Sequence, residues 1–177
     1  MVTARSSTSA RAAIDDLAVT TDIIVGFPGE TDDDFERTLE VTAAAHYDSA
    51  STFIYSARPG TEAAEWTERM IPPEVAAERF ERLRVVVERS ALAKHEERVG
   101  RIEEVLIEGR SKRDQATFSG RTAQGKLVHI PAGSAGIRPG AWADVRITRA
   151  APHFLLGDLV RITAEPTHRA RIPVVAG

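Results

Sequence analysis

Two short loops hold the residues of this 177-residue chain best suited to meet a ligand. Gly26-Phe27-Pro28-Gly29-Glu30-Thr31 sets two glycines, an aromatic ring and a carboxylate just ahead of Asp32, Asp33 and Asp34. Glycines let a backbone come close to a ligand, and free amides at a helix start favour an anionic or polar group. A plain strand-to-helix turn explains the same composition equally well. In Ser56-Ala57-Arg58-Pro59-Gly60-Thr61 the guanidinium of Arg58 could clamp a carboxylate or pair with nearby acids. The three aspartates resemble a cation site, but carboxylates in a first helical turn meet the positive end of the helix dipole, which explains them better. His46, His95, His129, His153 and His168 are scattered, with no pair at metal-ligand spacing on one element. The chain has no cysteine, which removes disulfides, thiolate zinc sites, cysteine nucleophiles and cysteine-ligated iron–sulfur clusters.

The loops are positioned by an alternation of strands and helices. Residues 19–25 (VTTDIIV) are a β-branched run stopped by the first loop, as expected of a buried strand. Thr31 is a good N-cap, and Phe35, Leu39 and Thr42 fall on one face of a helix running to about Ala45. Residues 49–55 form a second strand, closed by the second loop. Strand, helix, strand is a βαβ unit, so the strands are expected to be parallel and both loops to lie on their carboxyl edge, where α/β folds bind ligands. A short helical piece at residues 63–70 precedes a long helix from Pro73 to about Glu97, with Val75, Phe80, Leu83 and Val87 as its buried stripe. Two parallel strands have two open edges, so an incompletely buried apolar face is expected around Ile23, Val25, Phe53 and Tyr55.

From Arg98 the periodicity changes to two. Candidate strands cover residues 101–108, 116–121, 127–130, 142–149 and 154–163, and Ala143, Val145 and Ile147 alternate with polar neighbours. Five short strands in so compact a stretch predict a small OB-like β-barrel, a scaffold that commonly binds nucleic acid. Trp142 alternates out of that core, where it is either a stacking platform for a base or a packing residue against the long helix. Residues 1–12 read as a frayed or non-native leader, and the Pro/Arg/Ala-rich tail is expected to fray after about Pro166.

Charge separates the same two regions. Residues 1–97 carry 10 Lys/Arg and 19 Asp/Glu, net −9, whereas residues 98–177 carry 13 and 7, net +6. The second region is the better candidate for meeting a polyanion. Arg110, Lys112, Arg113, Arg121, Lys126, Arg138 and Arg146 supply much of its charge and are the candidate RNA contacts. No apolar run approaches the roughly 20 residues of a spanning helix and residues 1–12 lack a signal-peptide centre, so no membrane partner is expected and the chain reads as cytoplasmic.

Together and in order, TDIIVGFPGETDDDFERTLE, FIYSARPGTEAA, PPEVAAERFERL and FSGRTAQGKLVHI resemble the tRNA methylthiotransferases of the MiaB family over about residues 14–163. The Arg58-Pro59-Gly60-Thr61 loop, and a Gly120-Arg121-Thr122 turn, look like the tRNA-modifying branch of that group. The resemblance implies an α/β plus all-β fold: the carboxy-terminal part of a radical S-adenosylmethionine (β/α) barrel at 13–97, a TRAM RNA-binding barrel at 98–163, and a flexible tail at 164–177. It implies S-adenosylmethionine and [4Fe-4S] clusters as cofactors, and the anticodon stem-loop of tRNA as partner. The reaction implied is methylthiolation of isopentenyladenosine. By the same resemblance, Gly26, Phe27, Pro28, Gly29 and Glu30 line the S-adenosylmethionine site, mainly through backbone and the Phe27 ring, with Ser56 and Arg58 at its rim. Every cluster ligand of the family is a cysteine, so the chain departs from it completely in redox chemistry. Two readings follow: a piece of a split or truncated methylthiotransferase, active only where another polypeptide supplies the cysteines, or a catalytically silent RNA-binding protein that uses only its TRAM domain.

Overall fold

The computed structural model describes residues 2–112, 114–131, 133 and 136–166, and it divides into two compact units, Met1–Glu97 and Arg98–Gly177. The expected fraying of the tail falls on residues 167–177, outside the described residues.

In the first unit the strands β1 (Thr20–Val25) and β2 (Ser49–Ile54) pair in parallel, with Ile24 opposite Phe53 and Val25 opposite Ile54. Between them runs α2 (Asp32–Ala45). Its start is fixed by a capping box: the Thr31 hydroxyl accepts from the Asp34 amide, and the Asp34 carboxylate accepts from the Thr31 amide. Helix α3 (Glu62–Glu65) and a 3₁₀ turn (Thr67–Arg69) lead into α4 (Pro73–Glu96), with proline in its first turn. Phe35 and Leu39 of α2 and Phe80, Leu83 and Val87 of α4 pack on Ile23, Val25 and Ala50.

Two expectations are corrected here. Residues expected as a frayed leader form helix α1 (Val2–Ala13). Arg11 ties it down by donating to the carbonyls of Ala45 and His46, each at 2.7 Å, at the negative end of α2. The open apolar face is the expected one only in part, since Phe53 lies on it but Ile23 and Val25 do not. Val25 is fully buried, and Ile23 packs against the core, because α2 and α4 cover the same side of the sheet. The uncovered side belongs to Ile24 and Phe53, about half exposed (54% and 51%).

The second unit is a closed five-stranded barrel of β3 (Ile102–Arg110), β4 (Thr117–Thr122), β5 (Leu127–Pro131), β6 (Trp142–Ala150) and β7 (Leu155–Ala164), in the order β3-β4-β5-β7-β6. All pairs are antiparallel except β5 with β7, which closes the barrel through Val128 opposite Leu155 and His129 opposite Leu156. Val105, Ile107, Val128, Ile130, Ala143, Val145, Ile147 and Leu155 fill the interior. Gly120 and Gly157 make the tight strand crossings possible, since a Cβ at either would come within 2.5 Å of the neighbouring strand. Gly120, Arg121 and Thr122, expected as a turn, are the end of β4, and the chain reverses at Ala123–Gly125. No helix among the described residues is long and apolar enough to cross a membrane.

Candidate functional site

The two loops of the first unit are built alike. In Phe27-Pro28-Gly29-Glu30 the Glu30 amide donates to the Phe27 carbonyl at 2.9 Å, and in Arg58-Pro59-Gly60-Thr61 the Thr61 amide donates to Arg58 at 3.2 Å. Proline at the second position and a glycine with positive φ at the third (+87° for Gly29, +84° for Gly60) are what this turn geometry requires. Because β1 and β2 are parallel, both turns stand on one edge of the sheet.

The first turn is held from beneath by Arg79 of α4, a residue neither loop motif marks. Its guanidinium donates to the Glu30 carboxylate at 2.7 Å, to the Glu30 carbonyl at 3.1 Å and to Asp32 at 2.6 Å. The Glu30 carboxylate in turn accepts from the Gly26 amide at 2.9 Å. Burial works against the Arg79 charge, but the hydrogen bonds to Asp32 and Glu30 outweigh it and hold the group firmly protonated. Of the residues implied to line a cofactor site, Glu30 and the Gly26 amide are thus committed to internal bonds. The signal for Arg79 was present: it stands four residues after Val75 and four before Leu83, on the buried stripe, where an arginine requires an acid.

Above the turn, Phe27 meets Tyr55 and Trp66 edge to face, with ring centroids 5.1 Å and 6.1 Å away, and Arg69 lies over Trp66. Phe27 remains exposed, and the buried Tyr55 hydroxyl has no hydrogen-bond partner among the described residues. Pro28 is buried, while Ser56 and Arg58 are exposed at the second turn. The exposed Phe27 ring and the Arg58 guanidinium stand on one strand edge. They do not fit an iron–sulfur cluster: the chain has no thiolate, and no group of three His, Cys, Asp or Glu among the described residues could hold a metal ion. Of the three aspartates, Asp34 is part of the capping box and Asp32 meets Arg79, in keeping with helix-start carboxylates. The Thr31 hydroxyl lowers the Asp34 pKa.

The seven candidate cations of the barrel differ in exposure. Arg110, Lys112, Arg121, Arg138 and Arg146 are exposed, Lys126 is buried, and Arg113 lies outside the described residues. Arg110 lies over the Phe118 ring, 4.8 Å from its centroid, and donates to the Gln115 carbonyl. Arg121 is braced by Glu108 at 3.1 Å and the Gly125 carbonyl at 2.8 Å. Arg146 is four residues along β6 from Trp142, near the Gly100 carbonyl. Lys126 is corrected as a surface contact, because it follows the Gly125 turn with its backbone bonded to Thr122 and its side chain enclosed. Trp142 is partly exposed, opposite Leu106 and Ala164.

Comparison with known proteins agrees with this division. The TRAM domain family matches residues 96–160. The chain is 51% identical over 153 residues to a tRNA-2-methylthio-N(6)-dimethylallyladenosine synthase of Acidothermus cellulolyticus, covering 85% of this chain and 30% of that protein. Proteins of the same name from Mycobacterium marinum and Salinispora arenicola are 50% and 49% identical, covering 84% and 92% of this chain and 29% and 32% of theirs. The chain therefore spans about a third of the length of the curated relatives it matches. Over that span the chain is similar to the tRNA-2-methylthio-N(6)-dimethylallyladenosine synthases, and it carries a TRAM domain.

Proposed function

We propose that the chain acts as the carboxy-terminal portion of a tRNA methylthiotransferase, in which the barrel takes hold of tRNA while the Phe27 turn faces S-adenosylmethionine. The observation that carries this reading is the closed OB-like barrel within the TRAM match, exposing Arg110, Lys112, Arg121, Arg138 and Arg146. Phosphates are the natural counterions of such a surface. On the first unit, the Phe27 ring and Arg58 would hold the cofactor, which when bound supplies the methyl group. Arg79 and Glu30 act as positioning residues by fixing the turn on which Phe27 stands. The cluster chemistry of the family belongs to a cysteine-bearing part outside these 177 residues, on a longer or separate polypeptide.

Titration of the full chain with a tRNA anticodon stem-loop at several salt concentrations tests the reading. With about three to five phosphate contacts, log affinity falls with log salt with a slope of roughly −2 to −4. Arg121→Ala lowers that slope by about one. Binding no better than to heparin, with Arg121→Ala indistinguishable from the parent, would refute it.

A second reading, an RNA-binding protein without catalysis, is favoured by the missing cysteines. The two part on one question: whether RNA bound by this chain becomes methylthiolated once the cysteine-bearing part of such an enzyme is supplied.

A further inference from the structure

We propose that the outer face of β4 and β5, capped by Phe154, is a stacking site for an unpaired RNA base. The proposal rests on the reading of the barrel as an RNA-binding unit and adds where a base, rather than a phosphate, is received. Along β4, Phe118, Gly120 and Thr122 turn inward, and along β5 Val128 and Ile130 do the same. Thr117, Ser119 and Arg121 therefore share the outer face with Leu127 and His129.

The register places Ser119 opposite His129 and Arg121 opposite Leu127. Ser119 Oγ and His129 Nδ1 stand 3.0 Å apart, so the imidazole is held by its hydrogen bond rather than left to rotate. Phe154, from the turn between β6 and β7, meets the imidazole edge to face at 5.0 Å. Neither ring belongs to the barrel's core cluster, and both remain partly exposed. Burial lowers the His129 pKa, with Asp114 pulling the other way, which keeps the ring neutral at pH 7. A neutral imidazole beside a phenyl ring serves as a stacking surface, not as a phosphate clamp.

The surroundings supply what an extended strand needs. Arg121, one rung along the same face, is exposed and pre-oriented by Glu108 and the Gly125 carbonyl. The loop joining β3 to β4 brings the exposed Lys112. In chain order β4 and β5 are the second and third strands of the barrel, and the loops joining its first to second and fourth to fifth strands supply Lys112 and Phe154. Those are the elements with which OB-like barrels receive oligonucleotides. A base stacked on the exposed part of the Phe154–His129 ring pair, with its phosphate at Arg121, uses the two rings and the guanidinium of this face.

The test uses the full chain and an anticodon stem-loop carrying 2-aminopurine at successive loop positions, whose fluorescence is quenched when the base stacks. Phe154→Leu and His129→Gln each keep volume or polarity at the site but remove a ring. Both are expected to weaken binding about 5- to 150-fold and abolish quenching at one loop position, without altering the salt slope. Phe154→Trp restores or strengthens the quenching, which a merely structural role for the ring would not do. Parent-like affinity and quenching in both ring variants, with Arg121→Ala still flattening the slope, would overturn the stacking site and leave the RNA-binding reading intact. Failure of the parent chain to bind RNA better than heparin would overturn both.

Discussion

The strands of the second unit close on themselves around a fully buried core, although Ile102 and Val160 stay about half exposed on the outside (50% and 47%), whereas β1 and β2 of the first unit pair only with each other among the described residues. In the barrel, Val105, Val128, Ile130, Val145 and Leu155 are fully buried. In the α/β unit, two helices cover one side of the sheet, and Ile24 and Phe53 stay about half exposed on the other (54% and 51%). Closure removes both unpaired edges and the uncovered face, and it lets the barrel's outward residues serve a partner. The open sheet depends instead on polar anchors, Arg79 beneath the first turn and Arg11 at the end of α2.

The largest effect that sharpens this contrast falls on Arg79. Arg79 and Glu30 are nearly buried, at 7% and 10% side-chain exposure, so Arg79→Ala leaves a buried carboxylate without its partner. The expected cost is about 3–5 kcal/mol, read as a loss of the first unit's thermal transition with the barrel's unchanged. The double variant Arg79→Met, Glu30→Gln recovers most of it. Loss of both transitions together would show that the units do not unfold independently.

A smaller effect breaks the barrel. At Gly157 a Cβ would come 2.5 Å from Val145 Cγ1 and 2.8 Å from the Arg146 carbonyl, so Gly157→Ala is expected to cost about 1–3 kcal/mol in the second unit alone. Denaturant unfolding monitored by Trp142 fluorescence in a Trp66→Phe background reads it.

The smallest effect is a dependence on pH. Burial lowers the His129 pKa below its unfolded 6.5, so its contribution to stability is complete above pH 6.5 and is lost as the pH falls through the folded value. Asp114, lowered by the Thr117 hydroxyl and the Ala116 amide, and Asp34 lose their contributions only below about 3.8. Between pH 6.5 and 5 the barrel's melting midpoint is therefore expected to drop, and His129→Gln to flatten that drop.

Much of this architecture was legible from period and punctuation. The switch from a 3.6-residue to a two-residue repeat at Arg98 marks the boundary between the units, and Thr31, Pro73 and the Pro-Gly pairs mark starts and turns that the structure keeps. What sequence could not supply was which side of the sheet the helices cover, because Ile23 and Ile24 are equally apolar and only the crossover decides between them. Lys126 looked like a surface cation because its type says so, yet its place after a tight turn encloses it. Ser119 and His129 are ten residues apart and become a pair only through the β4–β5 register, so no local spacing announces them. Helix α1 was missed because Ser- and Thr-rich composition argued for a loose leader, while its anchoring by Arg11 depends on carbonyls more than thirty residues away.

Hydrogen exchange of the full chain, with and without an anticodon stem-loop, tests the contrast between the units most directly. The account predicts slow exchange throughout β3 to β7, faster exchange in β1 and β2, and RNA protection confined to β4, β5 and the loops carrying Lys112 and Phe154. Equal protection of both sheets, with the RNA footprint on the first unit, would contradict it.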